Sequence, residues 1–167
     1  MFINCVHGAL DRFSAPRGVL LALALMMVPM VASAADRLNA DKFNLANYKG
    51  KVVYLDFWAS WCGPCKFSFP YMETLSNTFA GRDFVIIADN LDHNRARADA
   101  FLNSVEADFP IVYDKTGILA NKFNVSAMPT AILIDRTGKV RYIHKGFHKD
   151  KEDDYTSQIF KLLNEKH

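Results

Sequence analysis

The order of local patterns along this 167-residue chain predicts an α/β fold: a central mixed β-sheet flanked by helices on both faces. Three observations carry that expectation. Val52 to Trp58 is a near-continuous β-branched and aromatic run, the pattern of a strand buried on both faces. Helical patterns then alternate with further short apolar strands. Finally, Asp135-Arg136-Thr137-Gly138 is a hairpin signal between the last two strands.

Taken in order, Phe43-Asn44-Leu45 is expected to be a short N-terminal strand, and Tyr48-Lys49-Gly50-Lys51 a turn. After the strand at Val52–Trp58, residues 59–64 lead into a helix from about Pro64 to Phe79. Met72, Leu75 and Phe79 form its apolar stripe. Pro70 is expected to kink it, because a mid-helix proline loses a hydrogen bond and crowds the preceding turn. Phe84 to Ala88 reads as a strand ending at polar Asp89-Asn90. Arg95 to Val105 reads as a helix with Ala98, Phe101, Leu102 and Val105 on one side. A short strand at Pro110 to Tyr113 and a short helix at Gly117 to Phe123 follow. Thr130 to Ile134 and Val140 to His144 form the closing hairpin, and Asp150 to about Asn164 the last helix. Asp150 is expected to cap that helix, with Glu152, Asp153 and Asp154 favourably placed in its positive first turn. Phe67, Phe69, Phe79, Phe84, Phe101 and Phe123 are assigned to the core, since a small domain needs such apolar bulk.

Residues 1–34 have a different character. Arg12 and Arg17 precede an uncharged run from Gly18 to Val31, and Ala32-Ser33-Ala34 supplies small residues at alternate positions. That is the layout of a secretory signal peptide, leaving a domain at 35–167. The apolar run is short for a bilayer span, which needs roughly 20 residues; an uncleaved membrane anchor and a buried core helix are the alternatives. Cleavage would remove Cys5 and leave Cys62 and Cys65 as the only cysteines. It would also leave 18 basic and 17 acidic residues. So balanced a charge gives no reason to expect nucleic acid as a partner.

Trp61-Cys62-Gly63-Pro64-Cys65 carries the chemistry. A disulfide closing so short a loop does little for folding, because stabilisation grows with loop length. The same spacing suits thiol–disulfide exchange: one thiolate attacks a substrate disulfide and the other resolves the mixed disulfide. Zinc is the competing use of such cysteines, with His144 and His148 at ligand spacing. They lie far from the cysteine pair, and His144 reads as a solvated strand-end residue. No metal and no cofactor are expected. Placing Cys62 where a strand meets a helix gives it the positive helix end, which favours thiolate. Cys62 is therefore the expected nucleophile, and Cys65, one turn further in, the resolving thiol. Asp56 is anomalous in an apolar strand, where an unpaired carboxylate is costly.

These residues resemble the thioredoxin superfamily, and more narrowly exported thiol–disulfide oxidoreductases of the TlpA/ResA type. The match is carried by Gly50-Lys51-Val52-Val53, Asp56 through Lys66, Phe69-Pro70, Met128-Pro129-Thr130 and Asp135 through Gly138. A helix–strand segment at about Asn94 to Tyr113 is similar to the TlpA-type insertion. The resemblance implies that Asp56 accepts a proton from Cys65, through water and with a raised pKa. It also implies a cis peptide before Pro129, packed against the cysteines, and a substrate groove formed by Trp61, Gly63, Pro64, Met128 and Pro129. Gly-Pro between the cysteines is the pair of reducing thioredoxins, which implies a Cys62 pKa of about 7 and a potential near about −270 mV. Two departures stand out. Ser68 occupies the position where cytochrome-maturation members commonly carry glutamate. Ala88 stands near where thioredoxins keep a lysine beside their buried acid.

Together these features lead to the expectation of a monomeric enzyme exported to the bacterial periplasm. It would reduce protein disulfides through a Cys62/Cys65 dithiol–disulfide cycle, with electrons from a membrane-bound donor. A dedicated apocytochrome reductant for cytochrome c maturation is one alternative. A non-catalytic thioredoxin-fold binding or chaperone module is the other.

Overall fold

The computed structural model of the protein describes residues 37–105 and 107–166; the expected leader at 1–34, with Cys5, lies outside them. Six strands form one sheet: β1 (Arg37–Asn39), β2 (Val52–Trp58), β3 (Phe84–Asn90), β4 (Ile111–Tyr113), β5 (Thr130–Ile134) and β6 (Val140–Lys145). Their spatial order is β1-β4-β3-β2-β5-β6. β1, β4, β3 and β2 are mutually parallel, while β5 runs antiparallel to both β2 and β6. The helices are α1 (Cys65–Thr78), α2 (Arg95–Leu102), α3 (Ile118–Lys122) and α4 (Glu152–Asn164).

β2 is central, and all seven of its residues are buried. Alternation along the strand sends Tyr54 and Trp58 to one face and Val53, Leu55 and Phe57 to the other. The first face packs against Phe69, Met72 and Leu75 of α1, Phe101 of α2, and Tyr155, Ile159 and Leu162 of α4. The second is covered by Leu119 and Ala120 of α3, with Phe43, Leu45 and Phe123 at its margin. Trp58 anchors the first layer: Phe69 and Phe101 each lie 4.9 Å from it, centroid to centroid.

The expected order of strands and helices is observed, with four local corrections. The first strand is Arg37–Asn39, not Phe43–Leu45. It pairs with β4 in a ladder of three residues. Leu45 instead begins a 3-10 turn that Asn44 caps through its side-chain oxygen. β3 continues through Asp89 and Asn90, which are fully buried. α4 begins at Glu152 after a 3-10 turn at Lys149–Lys151, so Asp150 is not its cap; Glu152, Asp153 and Asp154 do occupy its first turn. α1 runs from Cys65 to Thr78 with Pro70 inside it. Phe69, Phe79 and Phe101 are buried and Phe84 and Phe123 partly so, but Phe67 is 71% exposed and is no core residue.

Candidate active site

β2 delivers its C-terminal end to the site. Leu91 donates to the Trp58 carbonyl at 2.9 Å, and Cys62 donates to the Ala59 carbonyl at 3.0 Å. Between them the loop is held from below by Asp92. Its buried carboxylate accepts from the Ser60 backbone N–H, the Ser60 hydroxyl and the Asn90 amide, each at 2.8 Å. A buried carboxylate with three donors recovers the interactions it loses on leaving water. It thereby fixes the residue that precedes Trp61-Cys62.

Cys62 and Cys65 are joined in a disulfide, with Cα atoms 5.4 Å apart. Cys62 is 5% exposed and Cys65 is fully buried. Cys65 opens α1, and its N–H donates to the Cys62 carbonyl at 3.2 Å. Cys62 therefore sits just ahead of the helix, at the positive end of its dipole. The first turn of α1 contains no acid that would oppose a thiolate there. Ser68 is buried and donates its hydroxyl to the Cys65 carbonyl at 3.0 Å, so a neutral group fills that position.

Asp56 lies in the middle of β2, opposite Ala88 of β3 and Ala131 of β5. By alternation it shares the face of Tyr54 and Trp58, the face on which both cysteines pack. It is 1% exposed, and its Oδ2 has no hydrogen-bond partner. Burial raises its pKa well above the usual carboxylate range. No lysine faces it from the register position on β3, since that residue is Ala88.

Met128-Pro129 is a cis peptide immediately before β5. Thr130 pairs with Phe57, so Pro129 stands beside the end of β2 where the loop to Cys62 begins. The Pro129 carbonyl accepts from the Gly146 N–H at 2.8 Å, tying it to the end of β6. Met128 packs against the core layer that contains both cysteines. Trp61 is 66% exposed, and Gly63 and Pro64 are exposed beside it. A Cβ placed on Gly63 meets nothing within 4 Å, so the chain's own packing does not demand glycine there. What glycine leaves open is the surface over the disulfide.

Sequence reasoning missed three features. Asp92 carries no expectation from sequence; its Asn90-x-Asp92 spacing after an apolar strand is the available signal. Asp89 is fully buried on the opposite face of the sheet from Asp56, with burial and the neighbouring Asp114 carboxylate pushing its pKa up to about 9. Asp114 in turn caps α3 by accepting the N–H groups of Ile118, Leu119 and Ala120 at 2.7, 2.8 and 3.2 Å. The third feature is the exposure of Phe67. His144 also differs from expectation: it is half-buried against the Tyr155 ring at 4.3 Å, and burial lowers its pKa. Among the described residues, no three His, Cys, Asp or Glu side chains gather as a metal site, and no helix is long and apolar enough to cross a membrane.

Comparison with known proteins agrees with this geometry. The Redoxin family model matches residues 26–159. The thiol–disulfide oxidoreductase ResA of Bacillus thuringiensis is 34% identical over 123 residues, covering 73% of this chain and 71% of the relative. A Chlorobium tepidum protein described as the thiol:disulfide interchange protein DsbE superimposes with a TM-score of 0.70 at 42% identity, over 72% of this chain and 85% of that one. The exposed lipoprotein thioredoxin Etrx1 of Streptococcus pneumoniae superimposes with a TM-score of 0.63 at 30% identity, over 72% and 91%. With the thioredoxin-like fold, the bridged Cys62–Cys65 pair and these relatives in agreement, the chain belongs to the Redoxin family and is a thiol–disulfide oxidoreductase.

Proposed function

We propose that this oxidoreductase is exported to the bacterial periplasm, residues 1–34 serving as its signal, and works there as a monomer that reduces protein disulfides. The domain then spans 35–167. The observation that carries the reading is the cysteine pair at the start of α1, packed on the face of β2 that holds the buried Asp56. Reduction starts with the Cys62 thiolate attacking a substrate disulfide, which forms a mixed disulfide and expels one substrate thiolate. Asp56, in its ionised form, accepts the Cys65 proton. The Cys65 thiolate then attacks Cys62 Sγ, closing the protein disulfide and releasing the second substrate thiolate. Two electrons have passed to the substrate, and a membrane-bound donor restores the dithiol. Trp61, Gly63, Pro64, Met128 and Pro129 form the surface on which the substrate chain rests.

Gly63-Pro64 supports the reducing direction, because neither residue adds a charge that would stabilise the thiolate and make the disulfide strongly oxidising. A dedicated apocytochrome reductant, the alternative that the TlpA/ResA resemblance implies, is the second reading. Ser68, neutral and bonded to the Cys65 carbonyl, favours the broader one. Cys65→Ser decides between them, since it stalls the cycle at the mixed disulfide. Capture of many periplasmic proteins is the expected result. Capture of one haem-binding partner selects the dedicated reductant, and capture of none refutes the resolving role of Cys65.

A further inference from the structure

The two most exposed large apolar side chains among the described residues are Phe67, at 71%, and Trp61, at 66%. Both flank the redox pair: Trp61 directly precedes Cys62, and Phe67 follows Cys65 by two residues. Trp61 belongs to the surface described above. Phe67 does not, and its place on α1 is specific. Residues three, four and seven apart share a helix face, so Pro64, Phe67, Tyr71 and Thr74 form one stripe. The stripe starts inside the Cys62–Cys65 motif and runs away from the sulfurs.

A groove of about 450 Å³ opens along it. Phe67, Pro70, Tyr71 and Phe147 line it. The Tyr71 and Phe147 rings are 5.7 Å apart, and the Tyr71 hydroxyl donates to the Glu152 carbonyl at 3.1 Å. Phe147 comes from the other half of the site, because it follows Gly146, whose N–H holds the Pro129 carbonyl. The groove therefore joins both halves of the redox surface. Lys149 and Glu152 at its rim carry opposite charges, which favours a neutral occupant over an anionic one.

We propose that this groove is a specificity subsite for the protein substrate, holding an apolar or aromatic side chain two to three residues from the target cysteine. The spacing follows from geometry. Pro64 to Tyr71 is about 10 Å along the helix axis, at roughly 1.5 Å per residue. An extended substrate chain covers that in about three residues. The target cysteine must reach Cys62, so the chain beside it lies over Pro64 and toward Phe67. The inference rests on the reading of Cys62 and Cys65 as a disulfide reductase.

The test is a single-turnover assay with the reduced full-length protein and two self-paired disulfide decapeptides. One carries phenylalanine three residues to each side of its cysteine; the other carries serine at both positions. Each turnover oxidises Cys62 and Cys65 to their disulfide and reduces one peptide disulfide to two thiols. Burying a phenylalanine side chain is worth about a tenfold preference in rate over substrate concentration. Wild type is expected to show that preference, and Phe67→Ser to bring the ratio to within about twofold of unity. Phe147→Ser is expected to do the same from the opposite side. A wild-type ratio near one, or a full preference persisting in Phe67→Ser, overturns the subsite. Failure of wild type to reduce either peptide overturns the reductase reading instead. A concentration-dependent dimer in sedimentation that Phe67→Ser abolishes assigns the groove to a second copy of the chain. Binding to phosphatidylcholine–phosphatidylglycerol vesicles that the same variant abolishes assigns it to a membrane surface. Either overturns the proposal.

Discussion

Asp89 offers the sharpest quantitative test of how this sheet tolerates its buried acids. It is fully inaccessible to water, and burial together with the Asp114 carboxylate raises its pKa to about 9, against about 3.9 in an unfolded chain. The folded protein thus retains a proton across about pH 4 to 9 that the unfolded protein releases. Stability from this group is fully present below the unfolded value and is lost as pH rises toward 9. The slope inside that window is about 1.4 kcal/mol per pH unit. Asp89→Asn keeps the size but removes the titration. Urea unfolding of oxidised wild type and variant at pH 5, 6, 7 and 8 isolates the effect. The variant is expected to gain about 4 kcal/mol on wild type between pH 5 and 8, at an unchanged dependence on urea. A difference that stays level with pH, or falls, refutes the reasoning, because it means that Asp89 is ionised in the folded protein.

Three further outcomes follow from the same structure. Asp56→Asn is expected to slow release of the second substrate thiol about 100-fold, the scale of lost general-base catalysis. In wild type that step should accelerate with rising pH as Asp56 ionises, and in the variant stopped-flow rates should lose this dependence; an equally steep profile in both removes Asp56 from the step. Phe69→Ala, emptying the space between Trp58 and Phe101, is expected to cost about 3–5 kcal/mol in denaturant unfolding; a cost under about 1 kcal/mol contradicts the packing. Asp135 is buried, which by itself raises its pKa, but hydrogen bonds from Thr137, the Lys139 N–H and Arg141 bring it down to about 2. Its contribution is fully present above about pH 4 and is lost as pH falls through 2. Asp135→Asn is therefore expected to be about 2 kcal/mol less stable at pH 7, with the gap closing in acid, and a gap that widens in acid contradicts the network.

What the sequence made legible follows from where local pattern and tertiary packing agree. β2 and β5 were placed to the residue, because strands buried on both faces read as unbroken apolar runs. The redox motif and the proline before β5 were legible because their chemistry dictates residue type at fixed spacing. β1 was not. Three residues at a sheet edge, alternating exposed and half-buried, have no periodic signature. The more apolar Phe43 and Leu45 draw the assignment, but they serve the core from a loop and from the start of a 3-10 turn. Asp89 reads from sequence as ending its strand because an acid usually marks solvent; its burial instead goes with a raised pKa, to which the Asp114 carboxylate at the α3 cap adds. Phe67 failed in the opposite sense. An aromatic on a helix is ordinarily core, and its exposure follows from which face α1 turns toward the sheet.

The midpoint potential of the Cys62–Cys65 couple, equilibrated against glutathione and dithiothreitol buffers, tests the account most directly, since it sets which way electrons flow. The resemblance to reducing thioredoxins, carried by the uncharged Gly63-Pro64 pair, predicts a value of about −270 mV. A value near about −120 mV, that of a strong oxidant, contradicts the account.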